Sequence, residues 1–224
     1  MQTSDALQAL LSGLIDYAGL FPPASLDLPT AMRNYQEYRV GEHAWMLGRF
    51  VVPAALVAEV DAGWPLSVIA PDKKSERAGD VEYIEMPVTG DPTGLAARAK
   101  IRTGGLTPEA YPSTGELAGF LHRAAAARVP FKATAGLHHP LPSPPMHGFV
   151  NLFLAACLVW HGGSEADAAA TLEERNFRFH DRAYWHYQRL SAEQIREARA
   201  QFAISFGSCS FEEPVEELTR LEWL

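Results

Sequence analysis

Short runs of β-branched and apolar residues alternate with stretches of helical periodicity along the chain, a pattern that predicts parallel βα units. Strands are expected at residues 49–52, 66–70, 81–86, 99–102, 131–134 and 203–206, with an aromatic candidate at 177–180. Asp16-Tyr17-Ala18-Gly19-Leu20-Phe21, broken by Pro22-Pro23, supplies an earlier strand end. Helices are expected at residues 7–15, 54–60, 147–160 and 165–174, the third of them strongly apolar. Three more carry start signals. Asp27 with Pro29 opens a helix to about Arg39, Ser113 with Glu116 forms a capping box for one through Arg128, and Ser191 with Glu193 opens a charged one. Ser210 and Glu213 form a last capping box before residues 215–218.

Counting from Tyr17 gives up to eight strand candidates, the number that a closed (β/α)8 TIM-barrel-like fold requires, and 224 residues fit one such domain. The connections after Ala70 and Met86 are too short for full helices, so a distorted or incomplete barrel is expected. An open doubly wound sheet is the alternative, although no Gly-x-Gly-x-x-Gly turn marks a dinucleotide site. No long linker divides the chain, and one domain over residues 1–224 is expected.

Composition narrows the function classes. With 47% hydrophobic and 21% charged residues the chain has ample material for a core and is not a disordered sequence. Its net charge of -8 and lack of a Lys/Arg block argue against nucleic acid as a partner. An anion would have to be met by a few locally concentrated cations. The apolar run at 149–160 is interrupted by Asn151 and is too short to span a bilayer, so no membrane partner is expected. The amino terminus lacks the basic start and apolar centre of a leader, and two cysteines do not make a disulfide framework. Both point to the cytoplasm.

Chemistry concentrates at two similar strand ends, Lys100-Ile101-Arg102-Thr103-Gly104-Gly105 and Lys132-Ala133-Thr134-Ala135-Gly136. Alternation places Lys100 and Arg102 on one face, and Lys132 and Thr134 on one face, leaving Ile101 and Ala133 to pack under helices. A lysine inside a barrel is costly unless it is paired or meets an anion, which is the reason to expect function there. Glu85, ending the preceding strand, can pair with Lys100, exchange protons or hold a metal. A Schiff-base lysine needs a lowered pKa, which neighbouring cations favour, so Lys132 is the stronger nucleophile candidate and Lys100 beside Glu85 the weaker.

His138 and His139 follow the Lys132 strand and can act as acid, base or substrate ligand, with His147 further on. Gly207-Ser208-Cys209-Ser210 is a turn whose backbone N–H groups and hydroxyls suit a carboxylate or phosphate. Thr103, Thr134, His139, Ser208 and Ser210 therefore join Arg102 as candidate substrate contacts. Asp16 and Tyr17 could add a carboxylate and an aromatic wall, but a tight turn packed by Phe21 is the preferred reading. Cys157 reads as core. Tyr184, Trp185, His186 and Tyr187 read as packing or a subunit contact, compatible with a homo-oligomer.

The Lys-Ile-Arg-Thr-Gly-Gly segment resembles strand-end lysine motifs of enolase-superfamily barrels, and Lys-Ala-Thr-Ala-Gly is similar to strand ends of class I aldolases. The first resemblance implies lysine acid–base chemistry beside a metal, the second a Schiff base. No series of three strand-ending acids for magnesium is found here, and the separate capping domain of the enolase type is lacking. Asp-Tyr-Ala-Gly-Leu-Phe-Pro-Pro-Ala, Lys-Ala-Thr-Ala-Gly-Leu-His-His-Pro and Phe-Gly-Ser-Cys-Ser-Phe together resemble a bacterial protein family without an assigned activity.

The leading expectation is an enzyme that binds a small anionic metabolite. Lys100 and Arg102 would neutralise the anion, Lys132 would carry proton transfer or Schiff-base chemistry of a lyase or isomerase, and Glu85 or His138 would be its partner. No cofactor is expected. The alternatives are a non-catalytic anion-binding or scaffold protein and, more weakly, a metal-dependent hydrolase using a divalent ion at His138, His139 and Glu85.

Overall fold

The computed structural model describes residues 3–72, 74–105 and 107–224. Met1 and Gln2, part of the segment read for a leader, lie outside them. After helix α1 (Asp5–Leu11), chain-consecutive strands pair side by side: β1 (Ile15–Tyr17), β2 (Leu47–Pro53), β3 (Leu66–Ile69), β4 (Ser75–Ala78), β5 (Val81–Met86), β6 (Arg98–Arg102) and β7 (Phe131–Thr134). Strands β8 (Arg178–Phe179), β9 (Arg182–Trp185) and β10 (Gln188–Ser191) form a separate antiparallel sheet. Then β11 (Ala203–Ser208) inserts between β7 and β1 and closes an eight-stranded barrel.

The sheet closes rather than remaining open, so the doubly wound alternative does not form. The barrel is not a uniform βα repeat. Strand β4 runs antiparallel to both β3 and β5, whereas the other described neighbours are parallel. Two tight reversals on either side of β4 take the place of a helical crossover, which accounts for the short connection after Ala70. The β5–β6 connection is a loop, and residues Ala54–Glu59 form a 3-10 helix rather than an α-helix. The strand count of eight holds with a different membership. Of residues 177–180 only Arg178–Phe179 forms a strand, in the small sheet, and the polar segment Ser75–Ala78 takes the vacated place in the barrel.

The outward-facing strand residues Phe50, Val52, Ala99, Ile101, Phe131, Ala133 and Phe206 are buried beneath surrounding structure. Helix α4 (Phe149–Trp160), the apolar one, lies against β7 and β11: Phe153 stacks on Phe131 at 6.3 Å and Phe149 on Phe206 at 5.3 Å. Helices α3 (Thr114–Ala126) and α6 (Ala192–Gln201) flank it, and Phe120 and Phe202 both meet Phe131 edge-on. Across the barrel, Tyr35 of α2 (Leu28–Val40) packs on Phe50, and α5 (Glu165–Glu173) and α7 (Glu212–Arg220) complete the layer. The core is therefore a shell between barrel and helices, not the barrel interior.

Local start signals act as expected at three helices. The Asp27 side chain accepts from the Thr30 N–H, and complete capping boxes form at Ser113–Glu116 and Ser191–Gln194. The Ser210–Glu213 box forms only in half: Ser210 Oγ accepts from the Glu213 N–H, but the Glu213 carboxylate turns to His138. The first helix ends at Leu11, four residues short of the expected limit, because Ile15 is drawn into the barrel.

The two similar strand ends cross where Gly104 and Gly136 meet back to back. Gly136 has φ +75°, and a Cβ there would lie 2.7 Å from the Gly104 Cα and 2.8 Å from the Thr103 carbonyl oxygen. Gly162, at φ +92°, has open space around it. Gly136→Ala should therefore cost about 3 kcal/mol or more, combining left-handed strain with backbone overlap. Gly162→Ala should cost about 1–2 kcal/mol from strain alone. Urea denaturation of the two variants measures the difference.

Candidate functional site

Inward-facing residues from seven strands meet in a layer of charge and hydroxyls. Lys132 Nζ donates to Asp16 Oδ2 at 2.8 Å and to Glu76 Oε1 at 2.5 Å, with Ser67 Oγ 3.4 Å away. Lys100 Nζ lies 3.4 Å from Glu76 Oε2 and 3.1 Å from Glu85 Oε2. Glu76, on the antiparallel strand, thus bridges both lysines. Asp16 also accepts from the Ser205 hydroxyl at 2.8 Å and, through Oδ1, from the Arg49 N–H at 2.8 Å. The Ser67 hydroxyl donates to Glu76. Strand register explains the convergence: Glu85 pairs with Lys100, Lys100 with Lys132, and Arg102 with Thr134.

Asp16, Glu76, Lys100 and Lys132 are all under 5% exposed, so the pairs are desolvated and their electrostatics strong. Burial alone would lower the Lys132 pKa, but the Asp16 and Glu76 carboxylates outweigh it and hold the ammonium well above its ordinary range. Burial likewise pushes the Glu76 carboxyl up, and the ammoniums of Lys132 and Lys100 more than reverse that. The expected cationic surroundings of Lys132 are absent among the described residues. Lys100 lies on the adjacent strand, yet Glu76 stands between the two head groups. This arrangement favours a protonated Lys132 over the free amine that a Schiff base needs.

Above this layer, at the carboxyl ends of the parallel strands, opens a cavity of about 490 Å³. Lys100, Lys132, Glu76 and Glu85 reach its floor, and Arg102 and Thr134 its side. The Arg102 side chain is 53% exposed, with one long contact, 3.7 Å, to Glu85. Its guanidinium is therefore the cation in this group that is open to an incoming anion. The residue after Thr134, Ala135, holds a left-handed φ of 62° at the cavity wall, strain that a non-glycine residue tolerates only where its surroundings enforce it.

The remaining candidates separate by position. His138 lines the cavity, and its Nδ1 lies 3.1 Å from Glu213 Oε2. His139 instead pairs with Glu217 at 2.8 Å, and His147 is turned to the Pro112 carbonyl. Thr103 is fully buried and donates to the Ala135 carbonyl at 2.5 Å, tying the two strand ends together away from the cavity. Ser208 and Cys209 are on the wall, whereas Ser210 serves the start of α7. Burial raises the Cys209 thiol pKa, the opposite of an activated nucleophile. Asp16 is a full member of the charged layer, and Phe21-Pro22-Pro23 walls the cavity as well as turning the chain.

Glu76, Ser67 and Ser205 in the charged layer, and Tyr111 and Met146 on the cavity wall, carry no signal that sequence reasoning had used. For Glu76 the available signal was the alternation Ser75-Glu76-Arg77-Ala78, too polar to be taken for a buried strand. Among the described residues no group of three or more His, Cys, Asp or Glu is arranged to hold a metal ion. No described helix is long and apolar enough to cross a membrane. The aromatic cluster divides: Trp185 is buried and donates to Thr171 Oγ1, while Tyr187 is 71% exposed.

Compared with protein-family models, curated proteins and solved structures, the chain matches none. The short-motif resemblances to enolase-superfamily and aldolase barrels, and the longer one to a bacterial family, thus find no support there.

Removing one member of the buried layer leaves its partner charge unpaired. Lys132→Met should destabilise by about 3–5 kcal/mol, and adding Asp16→Asn and Glu76→Gln should recover part of that loss, measured by urea unfolding. The Glu76 carboxyl titrates below its ordinary 4.5 when folded, so its contribution is present above that pH and fades as pH falls through the folded value. Lys132 titrates above its ordinary 10.5, so its contribution is complete below that pH and fades only at higher pH. Unfolding midpoints should therefore show a plateau between these limits, and Glu76→Gln should flatten the acid limb.

Proposed function

We propose that the protein is an enzyme acting on a small anionic metabolite, carboxylate or phosphate, by proton transfer at the carboxyl end of a distorted βα barrel. The observation that carries this reading is the row of cations Lys100, Arg102 and Lys132 along an open cavity, with the outermost half exposed. In βα barrels this end is where reacting groups gather.

Arg102 receives the anion in place of its long contact with Glu85, presenting a planar fork of donors. Release from Arg102 leaves Glu85 with Lys100 and gives the cavity a carboxylate that can accept a proton. Lys132 stays an ammonium and fixes the field of the floor, so proton transfer rather than Schiff-base formation is the lysine chemistry favoured. His138 donates from Nδ1 to Glu213, which leaves Nε2 as the nitrogen that exchanges a proton, the arrangement of a carboxylate-oriented general acid–base. The class of reaction is a lyase or isomerase step at a position made acidic by the anionic substrate.

A second reading, a non-catalytic anion-binding or scaffold protein, draws on the ion pairing of both lysines, which suffices to explain them as structure. Screening small carboxylates and phosphates by thermal shift, then incubating each binder in heavy water, separates the two. Deuterium entering a carbon-bound position, lost in His138→Gln while binding persists, is the result expected of an enzyme. Binding without exchange or turnover favours the scaffold. Arg102→Gln should abolish binding at least tenfold while changing stability by no more than about 1 kcal/mol, because its ion pair is half exposed.

A further inference from the structure

The cavity is two-sided. Around the barrel, strands β4 to β7 contribute Glu76, Glu85, Lys100, Arg102, Lys132 and Thr134. Strands β1 to β3 and the loop after β1 contribute Ala18, Phe21, Pro22, Pro23, Val51 and Ile69, with no charge among them. Leu137 and Met146, from the connection after β7, add further apolar groups to the lining. A cavity of about 490 Å³ equals the share of liquid volume of roughly sixteen water molecules. A bare inorganic anion on Arg102 would leave most of it filled with water against hydrocarbon.

Charge limits the anion as well. Lys100, Arg102 and Lys132 face Asp16, Glu76 and Glu85, so the six groups sum to zero. Glu213, behind His138, adds a further negative charge nearby. A dianion placed at Arg102 would meet Glu85 without a spare cation, whereas a single carboxylate replaces one carboxylate contact of the guanidinium with another.

Resting on the anion-binding reading above, we propose that the ligand is an amphipathic monocarboxylic acid. Its carboxylate sits on Arg102, and an aromatic or branched aliphatic body lies against the Phe21, Val51 and Ile69 wall. Taking a phenyl ring's apolar surface out of water is worth roughly 50–100-fold in affinity.

Calorimetric titration of the intact protein with 3-phenylpropionate, propionate, inorganic phosphate and neutral 3-phenylpropanamide tests this. The acid with the ring should bind about 50–100-fold more tightly than propionate and more tightly than phosphate. Val51→Thr with Ile69→Thr, checked by circular dichroism to be folded, should reduce that advantage below about fivefold and leave propionate unaffected. Propionate or phosphate binding as tightly as 3-phenylpropionate overturns the inference while the anion reading stands. The amide binding as tightly as the acid, or no anion binding up to about 10 mM, well above ordinary ligand affinities, overturns both.

Discussion

An ammonium inside a protein is tolerated only where carboxylates or hydroxyls replace its water, and here two of them share one carboxylate. Glu76 touches Lys132 through one oxygen and Lys100 through the other, so the barrel interior is an electrically balanced layer instead of stacked aliphatic side chains. Desolvation makes each charge expensive alone and each contact strong once made. The layer therefore acts cooperatively: strands β1, β4, β5, β6 and β7 must all be in register before all of these charges are satisfied. Apolar burial drives the sheet closed from outside, through Phe131, Phe153 and Phe206, and the ion layer selects one register of closure from inside.

That requirement accounts for the irregular part of the barrel. A carboxylate is needed opposite the two lysines, and among the described residues no helix lies between the strands of the quarter that supplies it. Reversing β4 between two tight turns places Glu76 inward without a crossover and gives Ser67, on the neighbouring strand, a partner. The exposed face of this quarter needs no apolar residues, and Arg77 and Glu82, paired across β4 and β5, are solvent-exposed. Where helices do cover the barrel, at β7 and β11, the outward positions are wholly buried phenylalanine and alanine.

The division between legible and hidden features follows the same line. Alternation in Lys-Ile-Arg and Lys-Ala-Thr revealed two inward cationic faces, because their outward residues are apolar and the contrast is strong. The capping signals at Asp27, Ser113 and Ser191 depend on neighbours a few positions away and were equally visible. Strand β4 was not, since both of its faces are polar or small, one for the ion layer and one for solvent. Residues 177–180 displaced it in the count because aromatic composition marks a strand without saying which sheet it joins. Asp16 was read mainly as part of a turn, as a three-residue strand offers too few positions to show a period. Its partner Lys132 lies 116 residues away, beyond the reach of any local pattern.

The charge balance of the floor bears directly on what the cavity can do. A lysine fully engaged by two carboxylates contributes a fixed field but little reactivity, so in the proposed function chemistry falls to groups with one contact to spare. Arg102 and Glu85 meet at 3.7 Å at the boundary between dry interior and open cavity, and among the described residues His138 is held by Glu213 through Nδ1. These three can exchange partners without unbalancing the buried layer beneath them. The barrel thereby separates its charges by depth: rigid and compensated below, and exchangeable above, where the strained Ala135–Gly136 turn and the apolar wall of β1 to β3 border the open cavity.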